Sequence, residues 1–155
     1  MTNRLFFLDV NIPMYAAGTD HPRKEACAWV MQEIATGRLN AAVDTEILQE
    51  ILHRFGAIRQ WAVGSTMSEN LLDLVPMVYP VLAKDIRQAI ALFKSYGPQG
   101  LPAKDLLHAA VMQNNGLTHI LSTDPHFDHV EGITRVNVGG LDQTRVELAR
   151  LSLLG

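Results

Sequence analysis

At 155 residues, the chain has the length of one domain and is long enough to bury a substantial core. Its composition, with 48% hydrophobic and 19% charged residues, excludes a disordered chain, and no apolar run approaches the roughly 20 residues of a membrane span. The formal net charge of −3 argues against a generally basic nucleic-acid binder, although divalent cations held by acidic side chains would offset that charge.

The N-terminal segment and the single cysteine predict the compartment in which the protein works. The segment MTNRLFFLDVNIP lacks the long apolar stretch of a signal peptide. Cys27 has no second cysteine with which to form an internal disulfide, and it lies among Ala26, Ala28 and Trp29 in a helical pattern. We therefore expect a cytoplasmic protein in a reducing compartment, with Cys27 as a packing residue.

The first predicted element is a strand that ends at an aspartate. Leu5 to Leu8 forms an unbroken apolar run, as expected for a central parallel strand covered on both faces, and Asp9 follows it. Asn11 comes two residues later and marks a turn together with Pro13. The Asn11 amide can either cap the next helix or hold a carboxylate or a water molecule in place.

The next segments predict a helix, a short strand and a second helix. Pro22 to Ala35 has helical periodicity and is followed by Gly37 as a stop, and Asn40 to Val43 is a candidate strand. Asp44 or Thr45 then caps the helix TEILQEILHRF. Five residues form one apolar arc on this helix: Ile47, Leu48, Ile51, Leu52 and Phe55.

The same helix carries two glutamates whose predicted surroundings differ. At about 100° per residue, Glu50 lies on the border of the apolar arc, whereas Glu46 lies nearly opposite its centre. We therefore expect Glu50 to face the edge of the fold and Glu46 to face water. The alternative for Glu50 is an ordinary boundary residue paired with Arg54, four positions later.

The segment from residue 61 to residue 93 has a helical pattern and no chemical motif. We predict breaks near Gly64 and at Pro76 and Pro80, and we expect its Met, Trp and Leu side chains in the core or at an interface. Tyr96 to Gly100 contains two glycines and a proline, so it is predicted to be a loop. This loop is a candidate for a mobile lip over a site on the following helix.

A helix followed by a short strand is predicted between residues 101 and 121. Pro102 suits the first turn of a helix, which continues to Asn114 and Asn115 and stops at Gly116. Leu117 to Leu121 is too short for a helix and is bounded by turn residues, so we predict a buried strand there.

Acidic residues stand at both ends of this helix–strand unit. Asp105 lies in the first helical turn, where the helix dipole alone favours an acid, and Asp124 precedes Pro125 as an ordinary helix cap would. Asp124 also repeats the position of Asp9, just past the carboxyl end of an apolar strand. Asp128 follows Asp124 by one turn if Pro125 begins a helix. We therefore expect these acids to converge.

The remaining elements complete the predicted fold. Ile133 to Val138 alternates like a final strand, and Leu141 to Leu154 is an amphipathic closing helix. Alternating strands and helices without repeats or linkers predict one domain over residues 1–155, built as a three-layer α/β/α sandwich with a mostly parallel central sheet. Ligands bind at the carboxyl edge of such sheets. This edge is predicted to gather Asp9, Glu50, Asp105 and Asp124, with Asp128 as a further candidate.

A cluster of acids at one sheet edge predicts a metal site. Two carboxylates about 4 Å apart repel by roughly 4 kcal/mol at an effective dielectric constant of 20, so four of them are hard to keep ionised without a cation. Mg²⁺ and Mn²⁺ are hard ions that prefer oxygen ligands. Such ions orient a hydroxide, shield a phosphodiester and stabilise a departing oxygen. The predicted chemistry is therefore phosphodiester hydrolysis.

Three segments resemble the successive motifs of one nuclease family. FFLDVNIPMYAAG, TEILQEILHRF and PAKDLLHAAVMQNNGLTHILSTDPHFD are similar to the motifs of PIN-domain nucleases, and especially of the VapC-like toxin ribonucleases. The resemblance covers nearly the whole chain. It implies that Asp9, Glu50, Asp105 and Asp124 are the catalytic, metal-binding acids and that Asp128 is an accessory ligand.

The resemblance also implies supporting residues, cofactors and partners. Asn11 and Thr123 would support the site, whereas Val10 stands where a small polar residue is common in the family. Family members use Mg²⁺ or Mn²⁺, cleave RNA and often form homodimers. When they are toxins, a small antitoxin holds them inactive by inserting its tail into the groove. We expect no membrane partner.

Several alternative readings of these residues remain open. His126 and His129 near Asp124 and Asp128 can bind Zn²⁺, although no cysteine joins them. His108, three residues after Asp105, can contact substrate, but a surface or core histidine is the more common case.

At the level of the whole protein, three other functions compete with a toxin. A haloacid-dehalogenase-type phosphatase needs a second aspartate where this chain has Asn11. An inactive PIN-like binding module would not need so costly a group of acids. A housekeeping RNA-processing nuclease would use the same site as a toxin, and only the presence of an antitoxin distinguishes the two.

Overall fold

The computed structural model describes residues 4–154. Residues 1–3 and 155, which the predicted domain includes, lie outside the described residues. Five strands are β1 (Leu5–Leu8), β2 (Asn40–Asp44), β3 (Met77–Tyr79), β4 (His119–Ser122) and β5 (Thr134–Asn137). The helices are α1 (Asn11–Ala17), α2 (Lys24–Ala35), α3 (Thr45–Ala57), α4 (Trp61–Leu74), α5 (Ala83–Tyr96), α6 (Ala103–Asn114) and α7 (Leu141–Leu154).

The five strands form one sheet in the order β3-β2-β1-β4-β5, and every neighbouring pair is parallel. Helices flank this sheet, which confirms the predicted α/β architecture with a parallel centre. The central strand β1 is almost entirely buried, because Phe6, Phe7 and Leu8 have no exposed surface. An unbroken apolar run is what a strand covered on both faces requires.

The strand order changes direction beside β1. The chain passes from β1 outward to β2 and β3, and then returns to β4 on the other side of β1. The carboxyl ends of β1 and β4 therefore flank the point of reversal, where the following loops separate and leave a crevice for a ligand.

The helix α4 runs without interruption through Gly64, where the sequence predicted a break. A Cβ atom at residue 64 would lie only 2.8 Å from Cβ of Phe55 on α3. Gly64 is therefore a close-packing residue between two helices, and its lack of a side chain does not end the helix. Pro13, which was predicted to mark a turn, lies in the first turn of α1, where a helix tolerates proline.

The short strand β3 was not predicted. Met77 is exposed and the other two residues are partly buried, and the strand lies at the sheet edge beside β2. The predicted loop from Tyr96 to Gly100 contains one 3-10 turn over Gly97–Gln99. Strand β4 begins two residues later than predicted and extends to Ser122, whereas α7 has both of its predicted limits. Cys27 is buried and has no disulfide, as predicted.

Among the residues that the structure describes, no helix combines the length and apolar character needed to span a membrane.

Candidate active site

Two aspartates lie at neighbouring strand ends beside the point of reversal. Leu8 of β1 is in register with Leu121 of β4, which sets Asp9 level with Ser122 and places Asp124 two residues farther along. The backbone N–H of Asp9 donates to the carbonyl of Leu121 at 3.0 Å and continues the ladder. The register of the two strands thus brings Asp9 and Asp124 to the same edge of the sheet.

Three donors hold the buried carboxylate of Asp9. The hydroxyl of Ser122 donates to Oδ2 at 2.6 Å, the amide of Asn11 donates to the same oxygen at 3.2 Å, and the N–H of Val10 donates to Oδ1 at 2.8 Å. Burial raises the pKa of Asp9, and the positive charge of His108 and the hydrogen bond from Ser122 oppose that effect. The Asn11 side chain therefore holds a carboxylate, and it does not cap α1.

Asp105, Asp124 and His126 form a compact cluster of potential metal ligands. One ligand atom from each lies within 4.8 Å of the other two. Nδ1 of His126 is 3.1 Å from Oδ2 of Asp105 and 2.9 Å from Oδ1 of Asp124. Burial, followed by the charges of Asp124 and Asp9, raises the pKa of Asp105 to about 6. The neighbouring carboxylates are therefore close enough to disfavour the ionisation of Asp105.

Glu50 on α3 is held by a buried histidine. Nε2 of His108 lies 2.6 Å from Oε1 of Glu50, and Nδ1 lies 2.7 Å from Oδ2 of Asp44. Burial alone would lower the pKa of His108, but hydrogen bonds to both carboxylates raise it to about 10. Although burial opposes it, the hydrogen bond from His108 keeps the pKa of Glu50 below its ordinary value.

The predicted orientation of α3 is reflected in the burial of its two glutamates. Glu50 is 8% exposed, whereas Glu46 is only partly buried. Oε2 of Glu50 lies 3.6 Å from Nζ of Lys104, which precedes Asp105 on α6. His108 and Lys104, and not the predicted partner Arg54, make the closest contacts with Glu50. The charge of Arg54 still lowers the pKa of Glu50.

Among the described residues, the cluster of Asp105, Asp124 and His126 does not include Asp128, His129 or Thr123. Asp128 binds Arg135 through two hydrogen bonds of 2.9 Å, and this pairing holds the pKa of Asp128 below its ordinary value. His129 is exposed. Within the described residues, the alternative zinc set does not assemble, since only Asp124 and His126 of its four members belong to the cluster. The N–H of Thr123 makes a long contact of 3.5 Å with Oδ1 of Asn11.

Sequence reasoning missed the roles of Ser122 and Asp44. The Ser122 hydroxyl joins the two strand ends, because it donates to Asp9 and accepts from the N–H of Asp124 at 2.9 Å. Asp44 was predicted only as a possible cap, and its Oδ1 does accept from the N–H of Ile47. Its position was a signal, because Asp44 ends a buried strand in the same way as Asp9 and Asp124.

The chain matches a known family over most of its length. The family model described as PIN domain matches residues 6–133. The chain belongs to the PIN domain family. This PIN domain is 33% identical over 132 residues to Ribonuclease VapC13 of Mycobacterium tuberculosis, covering 85% of this chain and 99% of the relative.

Solved structures share the fold of this PIN domain at low sequence identity. The structure of VapBC2 from Rickettsia felis, bound to a DNA fragment from its promoter, matches with a TM-score of 0.67 and 16% identity. That match covers 86% of this chain and 98% of the other. A toxin-antitoxin complex from Klebsiella pneumoniae matches with a TM-score of 0.60 and 14% identity over 83% of this chain and 95% of the other.

The donor set of this PIN domain fits a divalent cation. PIN nucleases generally use divalent metal ions, and the cluster offers carboxylate oxygens together with one imidazole nitrogen. The raised pKa values of Asp105 and Asp9 show that negative charge is disfavoured there in the absence of a counterion. A cation would relieve that repulsion and favour the ionised acids.

Proposed function

We propose that this PIN domain is a metal-dependent endoribonuclease and the toxin of a toxin–antitoxin pair. The observation that carries the proposal is the cluster of Asp105, Asp124 and His126 beside the buried Asp9, at the reversal point of the sheet. A relative that is named a ribonuclease and is 33% identical over nearly its whole length supports the same activity.

The proposed cofactor is Mg²⁺ or Mn²⁺, held by Asp9, Glu50, Asp105 and Asp124. When bound, the ion would act as a Lewis acid that lowers the pKa of a water molecule and stabilises negative charge on a phosphodiester. The residues of the chain prepare this site: Ser122 and Asn11 fix one carboxylate of the set, and His108 fixes another. Asp128 is not part of the proposed ligand set, because Arg135 engages both of its oxygens.

The proposed substrate is single-stranded or loop RNA. A bare acid cluster repels a phosphodiester, so RNA binding requires neutralisation of the carboxylates. Lys104 adds a cation at the rim, because it lies 3.6 Å from Glu50 and its side chain is 46% exposed. The same side chain is therefore available to contact a phosphate beside the acids.

The activity is tested with a labelled RNA in the presence of Mn²⁺ or excess EDTA. We expect endonucleolytic products with Mn²⁺ and none with EDTA, with recovery when excess Mn²⁺ is restored. Undiminished cleavage in EDTA would contradict the metal mechanism. Protein carrying Asp124→Asn serves as a control for a contaminating nuclease, since its products should be absent under both conditions.

A second proposed partner is a small antitoxin protein, which would occupy an apolar groove of about 570 Å³. The groove lies between α1, α2 and α4, and its apolar lining includes Pro13, Ala16, Met31, Val63, Met67 and Leu71. An amphipathic segment can bury its apolar face in such a groove. Co-expression with the product of an adjacent reading frame tests this partner, and Met67→Glu is expected to abolish the complex if the groove is used.

The protein is also proposed to form a homodimer through α5. Leu82, Ile86, Ile90 and Phe93 are each about half exposed and lie around α5, which leaves an apolar face in contact with water. Apolar patches of this kind on soluble domains mark interaction sites.

A further inference from the structure

We propose that His108 is a positioning residue that fixes the Glu50 carboxylate at the acid cluster, with Asp44 as its anchor. The inference rests on the proposed function, because it assigns Glu50 to the metal-binding set. Among the described residues, the compact cluster consists of Asp105, Asp124 and His126, so Glu50 joins the metal-binding set only through the proposed function. His108 and Asp44 would act through Glu50.

The side chain of His108 is fully buried, and both of its ring nitrogens are engaged by carboxylates. The residue lies on α6, and its ring packs 5.6 Å from the ring of Phe7 on β1. Each ring nitrogen faces one carboxylate oxygen, at 2.7 Å for Asp44 and 2.6 Å for Glu50. Since ionised carboxylates only accept hydrogen bonds, both nitrogens donate, and the ring bridges the two acids as a cation.

Glu50 needs such a partner because its side chain is long and flexible. A glutamate projecting from a helix has several rotatable bonds, and ordering them costs conformational entropy. The bond from His108 occupies Oε1 of Glu50, whereas Oε2 faces Lys104 at the partly open rim. One oxygen is thus fixed by the fold, and the other lies beside Lys104, the residue that precedes Asp105 on α6. Groups that orient metal ligands in this way strongly affect metal affinity.

Asp44 provides the fixed point on the other side of the ring. It is fully buried at the end of β2, and its Oδ1 caps α3 by accepting from the N–H of Ile47. Its Oδ2 holds His108. The start of α3, the ring on α6 and the Glu50 side chain one and a half turns into α3 are therefore linked in one network.

A purely structural ion network would have the same contacts, so the test must distinguish the two roles. The side-chain amide of Asn can replace Nδ1 of His108 but is too short to replace Nε2, whereas Gln can replace Nε2. We expect His108→Asn to release Glu50 and His108→Gln to retain it. Asp44→Asn keeps the cap on α3 through its amide oxygen, and a neutral His108 can still donate from Nε2 to Glu50.

The readout is the Mn²⁺ dissociation constant, measured by titrating the metal alone into variants shown to be folded by melting in EDTA. His108→Asn is expected to weaken Mn²⁺ binding about tenfold or more, as for other residues that orient metal ligands, and Asp44→Asn and His108→Gln are expected to weaken it less. In the background of Glu50→Gln, His108→Asn should cause no further loss, because it acts through that residue.

The inference would be overturned if folded His108→Asn bound Mn²⁺ as tightly as the wild type. It would also be overturned if His108→Asn weakened Mn²⁺ binding in the Glu50→Gln background by the same factor as in the wild type. If His108→Asn does not fold, the cycle is completed with Asp44→Asn, whose smaller loss of Mn²⁺ affinity should likewise disappear in the Glu50→Gln background. The proposed function is tested separately by RNA cleavage. Coupled metal binding without cleavage would refute the nuclease and leave the positioning role intact, whereas metal-dependent cleavage with additive losses would refute only the positioning role.

Discussion

Asp105 is a buried acid beside two other carboxylates, so its ionisation is linked to the stability of the fold. Its folded-state pKa of about 6 lies above the ordinary value of 3.8, because of burial and the charges of Asp124 and Asp9. The protonated form therefore stabilises the metal-free protein. That contribution is fully present below about pH 4 and is lost as the pH rises through about 6.

We expect Asp105→Asn to remove this contribution to the pH dependence. In EDTA, the melting temperature of the wild type should fall relative to that of the variant between pH 4 and pH 7. The affinity of the wild type for Mn²⁺ should rise as the pH increases over the same interval, because the ion competes with the proton for Asp105. Asp20→Asn, at an exposed position, is the matched control. Parallel pH profiles for wild type and Asp105→Asn would contradict the prediction.

The two glutamates of α3 provide a second prediction for single residues. Glu50→Gln removes a charged ligand from the proposed site and leaves His108 beside a neutral amide, so RNA cleavage should fall by about 10- to 100-fold or more. Glu46→Gln should retain nearly full activity, because Glu46 has no hydrogen bond to His108 and lies one turn away. Initial cleavage rates at equal folded concentration give the comparison, and a selective loss in Glu46→Gln would reverse the assignment.

Helix packing explains why two glycines on neighbouring helices should respond oppositely to the same substitution. Gly64 on α4 would place a Cβ atom 2.8 Å from Cβ of Phe55, whereas a Cβ atom on Gly56 of α3 has open space within 4 Å. Gly64→Ala is therefore expected to lower the free energy of unfolding by about 1–3 kcal/mol through overpacking. Gly56→Ala should raise it by about 0.5–1 kcal/mol, because alanine favours helix more than glycine does.

Denaturant unfolding of the two variants measures this difference directly. A stabilised Gly64→Ala protein would show that α3 and α4 separate easily and that Gly64 has no packing role. Since α3 carries Glu50, a shift of this helix should also lower metal affinity in Gly64→Ala, while Gly56→Ala leaves it unchanged.

At the scale of the whole molecule, the apolar face of α5 determines the expected oligomeric state. Ile90 is 51% exposed at the centre of this face, and Val146 on α7 is 69% exposed away from it. If α5 forms the homodimer, Ile90→Asp should produce a monomer, because a carboxylate would be buried without a partner at the interface. Val146→Asp should leave the dimer intact. Sedimentation equilibrium of the two variants tests this, and a dimeric Ile90→Asp protein would exclude the α5 face.

Local sequence patterns determined much of this fold because they record burial residue by residue. The apolar run before Asp9 could only be a covered strand, and the periodicity of residues 141–154 predicted α7 with both of its limits. The phase of α3 likewise distinguished the buried Glu50 from Glu46. Strand β3 escaped prediction because three partly exposed residues at a sheet edge leave no clear pattern, and Gly64 was misread because its close neighbour Phe55 lies on another helix.

Only the tertiary structure decided which side chains meet at the site. His108 lies 64 residues from Asp44 and 58 from Glu50 along the chain, so no local period records their contacts. The fold brings these three side chains together. The register of β1 and β4 likewise sets the bond between Ser122 and Asp9. Asp128 has the spacing of a site residue, yet Arg135 on the neighbouring β5 binds it. The sequence by itself determined where each acid stands on its element, and the packing of the elements determined which partners each acid has, because those partners are distant in the chain and adjacent only in the fold.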